Sequence, residues 1–190
     1  MRRISIPSSV SEFINGWCSL SSRICELNVI PTEKQNIICY NKDYILLKSD
    51  PKSSIYDVLV FARRNIENAI IPSFIKRIAL YAFCNCYLLE NVIFTKNSEL
   101  ISIDESAFDN SSLGCITFPS HLKYIKRDSF AECEFLEEID CSKTNELIVE
   151  SYSFFNSAIN KITIPSNIEI HDGAFYSTSQ LTEIEIIPRD

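Results

Sequence analysis

The residues of this 190-residue chain best equipped for chemistry are two histidines and eight cysteines. A histidine can act as general base to a hydroxyl or thiol nucleophile, and Cys84-x-Cys86 is half of the knuckle pattern that holds structural zinc. Both chemistries require convergence. A triad needs nucleophile, base and orienting group in one place, and a closed zinc site needs a second Cys/His pair. His121 and His171 fall in different units of the pattern described below, and no second Cys-x-Cys pair exists. The chain has only three glycines and contains neither GxGxxG nor GxxxxGK[ST], so a phosphate-cradling loop is excluded. The expectation is therefore no enzyme, no metal and no cofactor.

Composition narrows the partner. A formal charge of -7 and a pI near 4.9 work against nucleic acid and anionic membranes, both of which repel a negative surface, and favour a protein partner with a basic segment. With 46% hydrophobic and 23% charged residues the chain can bury a core without being disordered. No apolar run approaches the ~18 residues of a spanning helix, so membrane insertion is not expected. MRRISIPSSVSEF alternates apolar with polar and lacks the apolar centre of a secretory signal, which predicts an intracellular protein with reduced thiols.

What must position any functional group is a repeat. The pairs Ala82-Phe83, Ala107-Phe108, Ser129-Phe130, Ser153-Phe154 and Ala174-Phe175 are separated by 25, 22, 24 and 21 residues, a period of about 23. Five positions before each phenylalanine stands a β-branched residue: Ile78, Ile103, Ile125, Val149 or Ile170. After each comes an LxxLxL signature, as in Leu89/Val92/Phe94 and Ile159/Ile162/Ile164, which extends upstream as Met1/Ile4/Ile6, Ile24/Leu27/Val29 and Ile66/Ala69/Ile71. The LxL part has period 2, so it is a short strand with one face in a core. Proline ends it at Pro7, Pro72, Pro119 and Pro165. One such coil cannot bury its apolar face alone, but stacked neighbours share a continuous core. Most alignable phenylalanines are thereby core residues and not platforms for bases or sugars. Cys86 and Cys133 occupy a slot that takes Ser111, Ser157 and Thr178 elsewhere, which reads as a small turn residue; Cys141 takes a strand core slot.

Phe118 to Cys133 and Ile71 to Cys86 match the unit LxxIxIPxxVxxIxxxAFxxC almost position for position, and in this the chain resembles the BspA-like leucine-rich-repeat family. The resemblance covers Met1 to Val29 and Ile66 onward. It implies a mainly β or α/β right-handed solenoid of about eight ~23-residue coils, a non-enzymatic protein-interaction module, and adhesion at the cell surface, as in bacteria and trichomonads. Departures are Trp17-Cys18 in place of Ala-Phe and a unit around Asn145 to Phe154 without the Ile-Pro start.

Residues 1–190 read as a single solenoid with residues 31–65 as a non-repeat β insertion. Within that insertion IICY and YILLK flank Asn41-Lys42-Asp43 as a hairpin, and YDVLVF adds a strand, an element predicted to bud from the solenoid. The chain starts and stops at strand residues without a polar capping unit, so the expectation is either that the ends stack, on another copy or within a larger assembly such as a cytoskeletal one, or that the chain is a piece of a longer array.

The candidate binding face is the solvent side of the LxxLxL strands. Its positions from Arg2 to Glu185 include eight acidic and three basic residues. Glu90, Glu137, Glu138, Asp140, Glu183 and Glu185 would form an acidic stripe beside an apolar patch of Ile70 and Ile93, with Thr117 and Lys161 among them. That combination suits a basic segment with an apolar anchor; solvated charges that merely keep strands soluble are the alternative. Lys76, Arg77, Lys123, Lys126 and Arg127 gather in the turns, which predicts a basic rim opposite the acidic face.

Overall fold

Alternating apolar residues within each unit form strands, and the 23-residue period stacks them in register. The structure, a computed structural model, describes residues 2–14, 17–18 and 21–188; Met1 of the first triplet lies outside them. In chain order the strands are β1 (Arg3–Pro7), β2 (Glu26–Ile30), β3 (Ile37–Tyr40), β4 (Tyr44–Leu47), β5 (Val58–Ala62), β6 (Asn68–Ile71), β7 (Arg77–Ile78) and β8 (Asn91–Phe94). They continue as β9 (Ser102–Ile103), β10 (Cys115–Thr117), β11 (Tyr124–Ile125), β12 (Glu138–Asp140), β13 (Ile148–Val149), β14 (Lys161–Pro165), β15 (Glu169–Ile170) and β16 (Glu183–Ile187).

The apolar triplets form one wall: β6, β8, β10, β12, β14 and β16 pair in parallel in that order, and β1 and β2 make a separate parallel pair. The return segments form the other wall, with β7, β9, β11, β13 and β15 as two-residue strands around the β-branched residues. No described residue is helical, so the solenoid of about eight coils is all-β.

Between the walls the phenylalanines stack along the array. Phe83–Phe108, Phe108–Phe130, Phe130–Phe154 and Phe154–Phe175 have ring centroids 4.7, 4.9, 5.3 and 5.1 Å apart and are nearly parallel. Beside them the backbone continues the ladder, with the Phe108 N–H donating to the Ser129 carbonyl and the Phe130 N–H to that of Ser153. Each coil bends around its ring through two left-handed residues, two before and two after the phenylalanine. The first set is Tyr81, Ser106, Asp128, Tyr152 and Gly173; the second is Asn85, Asn110, Glu132, Asn156 and Ser177. Only Gly173 among them lacks a Cβ, so the other nine accept a conformation that costs an L-residue roughly 1–2 kcal/mol. Stacking must hold those turns in place.

At Ser129 and Ser153 the small residue before the phenylalanine carries a hydroxyl that is buried without a hydrogen-bond partner. Other coils place Ala82, Ala107 and Ala174 there. The double substitution Ser129→Ala, Ser153→Ala is expected to stabilise by about 1 kcal/mol per site, because each removes a buried unpaired polar group. In a melt that is a rise of ~2–4 °C per site; a fall in Tm would contradict the assignment.

The segment predicted to bud outward instead lies inside the array. β3, β4 and β5 pair antiparallel and join the return wall through the parallel pairing of β5 with β7. All five residues of β5 are buried, as the unbroken run VLVFA requires of a strand covered on both faces. A bulge at the Ile45/Leu46 step aligns Ile45 with Phe61 but Leu46 with Leu59, and so turns both Val60 and Phe61 to one side. Val58, Val60 and Phe61 pack with Ile6, Cys18 and Ile24, while Leu59 and Ala62 pack with the repeat core. The insertion is thus a partition between the first coils and the rest.

Candidate functional site

The residues that opened the question of chemistry are apart or inert. His121 Nδ1 lies 3.0 Å from the Ser98 carbonyl and His171 Nε2 lies 3.0 Å from Glu169 Oε1, in different coils. Burial, followed by the charge of Asp109, pushes the Cys84 thiol up to about 12, and burial also raises that of Cys86. Thiols held protonated at neutral pH are poor nucleophiles and metal ligands. Among the described residues no group of three or more His, Cys, Asp or Glu is placed to hold a metal.

The strand wall has a defined outer surface, because alternate residues of each strand point away from the core. One row across it runs Asn68, Asn91, Cys115, Glu138, Lys161, Glu183. The adjacent row holds Ile70 beside Ile93 and, further along, Thr117, Asp140, Thr163 and Glu185 in register. Glu90 and Glu137 stand just before β8 and β12, both exposed, with Gly114 bonded between them. The acids therefore concentrate on β12 and β16, and the stripe is interrupted at β14 by Lys161 and Thr163. Lys161 Nζ is 2.7 Å from Glu183 Oε1; that bond and charge, reinforced by Glu185 and Glu138, raise the lysine's pKa. Thr163 donates to Glu185 across 3.3 Å, and Asp140 accepts the Ser142 N–H at 2.8 Å. Glu90, Glu137 and Glu138 have no ion pair among the described residues.

The return rim is different. Lys123 meets Glu146 at 3.3 Å, Lys126 meets Asp104 at 2.7 Å and Arg127 meets Asp128 at 3.1 Å. Arg77 reaches Asp104 at 3.8 Å, and Lys76 lies 4.0 Å from both Asp57 and Glu99. Every cation of the predicted basic rim faces a carboxylate, most of them from a neighbouring coil. The cations of the rim are thus locally neutralised.

The sequence matches the family described as BspA type leucine rich repeat region in six copies across residues 54–182. The chain belongs to that family. Its fold is similar to that of a leucine rich cell surface protein from Faecalibacterium prausnitzii, with TM-score 0.83 and 23% identity over 98% of this chain and 48% of that one. A leucine-rich-repeat protein from Eubacterium ventriosum gives 0.75 and 16% over 98% and 49%. The pneumococcal vaccine antigen PcpA gives 0.57 and 22% over 80% and 39%. The chain spans about half the length of the first two. None of the curated proteins compared matches it significantly. Among the described residues no helix is long and apolar enough to cross a membrane.

The location of the predicted hairpin and the role of one arginine escaped the sequence reading of this BspA-type chain. The hairpin tip, a type I′ turn with Asn41 and Lys42 at φ 50 and 63, stands at the edge of the strand wall beside β6 and β2. The arginine is Arg64, whose buried guanidinium donates to the Ala82 and Tyr81 carbonyls of the next coil. Nothing in the repeat pattern singles it out.

Proposed function

We propose that this chain is a non-enzymatic protein-binding repeat whose strand wall from β6 to β16 captures a basic segment of another protein, in an adhesion-type role at the cell surface. The observation that carries the reading is the contrast in charge pairing. Among the described residues Glu90, Glu137 and Glu138 make no ion pair, while the rim cations Lys76, Arg77, Lys123, Lys126 and Arg127 all do. Solubility alone needs charge on the wall but does not require it to be unmatched. The surface location draws on the first of the similar structures, a cell surface protein by description. Reversing Glu137, Glu138 and Asp140 to lysine is expected to leave the protein folded, with a small fall in Tm from the lost Asp140 acceptor, and to weaken binding of a Lys-Ser-Lys-Ser-Lys peptide at least tenfold in low salt, about 1.4 kcal/mol. Equal binding by both proteins would reject this face.

A second reading, an intracellular scaffold, can be tested at the coil that carries β15 and β16. Ile184 and Ile186 are 58% and 60% exposed, whereas their counterparts Ile162 and Ile164 are 3% and 8% exposed. In this reading a further β coil, from the same polypeptide or another copy, covers them. Ile184→Glu with Ile186→Glu is expected to lower any self-associated mass in sedimentation; a mass unchanged by the pair would remove self-stacking. Labelling of intact cells supports the surface role, and labelling only after permeabilisation supports the scaffold.

A further inference from the structure

The hairpin tip changes the strand wall where it meets β6. In an uninterrupted array β2 and β6 would be neighbours, since they belong to successive coils; here β2 pairs only with β1 and β6 only with β8. Against β6 the tip leaves a cleft of about 380 Å³ bounded by Tyr40, Tyr44, Asn68, Ile70, Pro72 and Phe74. Its walls are fixed. Tyr40 and Phe74 meet edge to face with centroids 5.8 Å apart, and the Tyr44 hydroxyl donates to the Ile70 carbonyl at 3.2 Å. The one carboxylate at its margin, Asp43, is held by Arg63 at 2.6 Å, so the cleft offers no free charge. Ile70 and Ile93, side by side and each more than half exposed, carry the apolar surface out of the cleft toward the acidic strands.

We infer that this cleft is the anchor pocket for the basic segment and receives one aromatic side chain from it. The inference rests on the strand-wall reading above and adds what the partner must look like. Charge complementarity places the basic part over β12 to β16, and the uncharged cleft demands a neutral, apolar anchor at the other end. From Ile70 on β6 to Asp140 on β12 is three strand spacings, about 14 Å at ~4.8 Å each. An extended chain covers that in about four residues at ~3.3–3.6 Å per residue. The partner therefore carries an aromatic residue about four positions from its first lysine or arginine.

The test uses fluorescein-labelled Trp-Gly-Ser-Gly-Lys-Ser-Lys-Ser-Lys, the same peptide in reverse order, and the version of each with Trp replaced by Ser, titrated by anisotropy against three proteins. Wild type is expected to bind one Trp peptide at least tenfold tighter than its Ser version. Ile70→Ser, an exposed site that the fold tolerates, is expected to reduce that preference to within about twofold without changing affinity for the Ser version. The reversal of Glu137, Glu138 and Asp140 is expected to weaken both. If the Ser peptides bind and respond to charge reversal but Trp adds nothing in either order, the anchor pocket is wrong and the acidic wall stands. If no peptide binds wild type, both fail together. If the Trp gain survives Ile70→Ser, the anchor lies elsewhere.

Discussion

Arg64→Met is expected to destabilise the protein by about 3 kcal/mol or more, lowering Tm by roughly 6–12 °C. The guanidinium is buried, with no carboxylate partner among the described residues, and lies over the Phe61 ring at 4.1 Å. Its donors go to backbone instead: Nε to Ser21 O at 3.1 Å, one terminal nitrogen to Ala82 O at 2.7 Å and Ala62 O at 3.3 Å, the other to Tyr81 O at 3.1 Å. The thiols of Cys86 and Cys18 complete the shell at 3.5 and 3.8 Å. These groups belong to the first coil, the partition and the following coil, so one planar fork ties together three segments that the insertion would otherwise leave separate. Methionine fills much of the volume but donates nothing, and the carbonyls lose their partners in a dry site. Lysine keeps the charge without the fork and is expected to recover less than half of the loss. A thermal shift within about 2 °C for Arg64→Met would mean that the packing of β3 to β5 holds the first coils without this clamp.

The second large effect is expected at Phe130, where truncation to alanine costs about 3–5 kcal/mol. Its ring is stacked between Phe108 and Phe154 and met edge-on by Phe118 at 5.8 Å. Because each coil touches only its neighbours, a gap in the middle of the ladder also weakens the coupling between the two halves. The denaturation profile should broaden or split, as well as shift. Phe135→Ala, at an exposed phenylalanine only five positions away, is the control and should change stability by no more than ~0.5 kcal/mol. Equal effects at the two sites would contradict the ladder as the spine of the array.

The ladder was legible because each coil spells it again: a β-branched residue, then phenylalanine five positions later, then the apolar triplet. The hairpin strands were legible too, from IICY and YILLK around a three-residue turn, but their location was not. Pairing partners come from sheet edges that no local segment specifies, although VLVFA, apolar at successive positions, already asked for burial on both faces. Arg64 was hidden by its own chemistry, since a cation just before the triplet Ile66/Ala69/Ile71 reads as a solvated residue when only apolar residues are aligned. On the binding face the sign of the charges was visible in the triplets, but their pairing was not. Lys123 and Glu146 are 23 positions apart and Lys126 and Asp104 are 22, so whether a charge is free depends on the register between coils.

On the reading proposed above, a partner binds at the acids of the strand wall that make no ion pair among the described residues. Amide chemical-shift mapping tests it most directly, with ¹⁵N-labelled protein titrated with the Trp-Gly-Ser-Gly-Lys-Ser-Lys-Ser-Lys peptide. Shifts are expected to be largest at Glu90, Glu137 and Glu138, to spread over the neighbouring residues of β12, β14 and β16, and to extend through Ile93 to Ile70. Shifts confined to the return rim around Lys123 to Arg127, or an unchanged spectrum at saturating peptide, would contradict it.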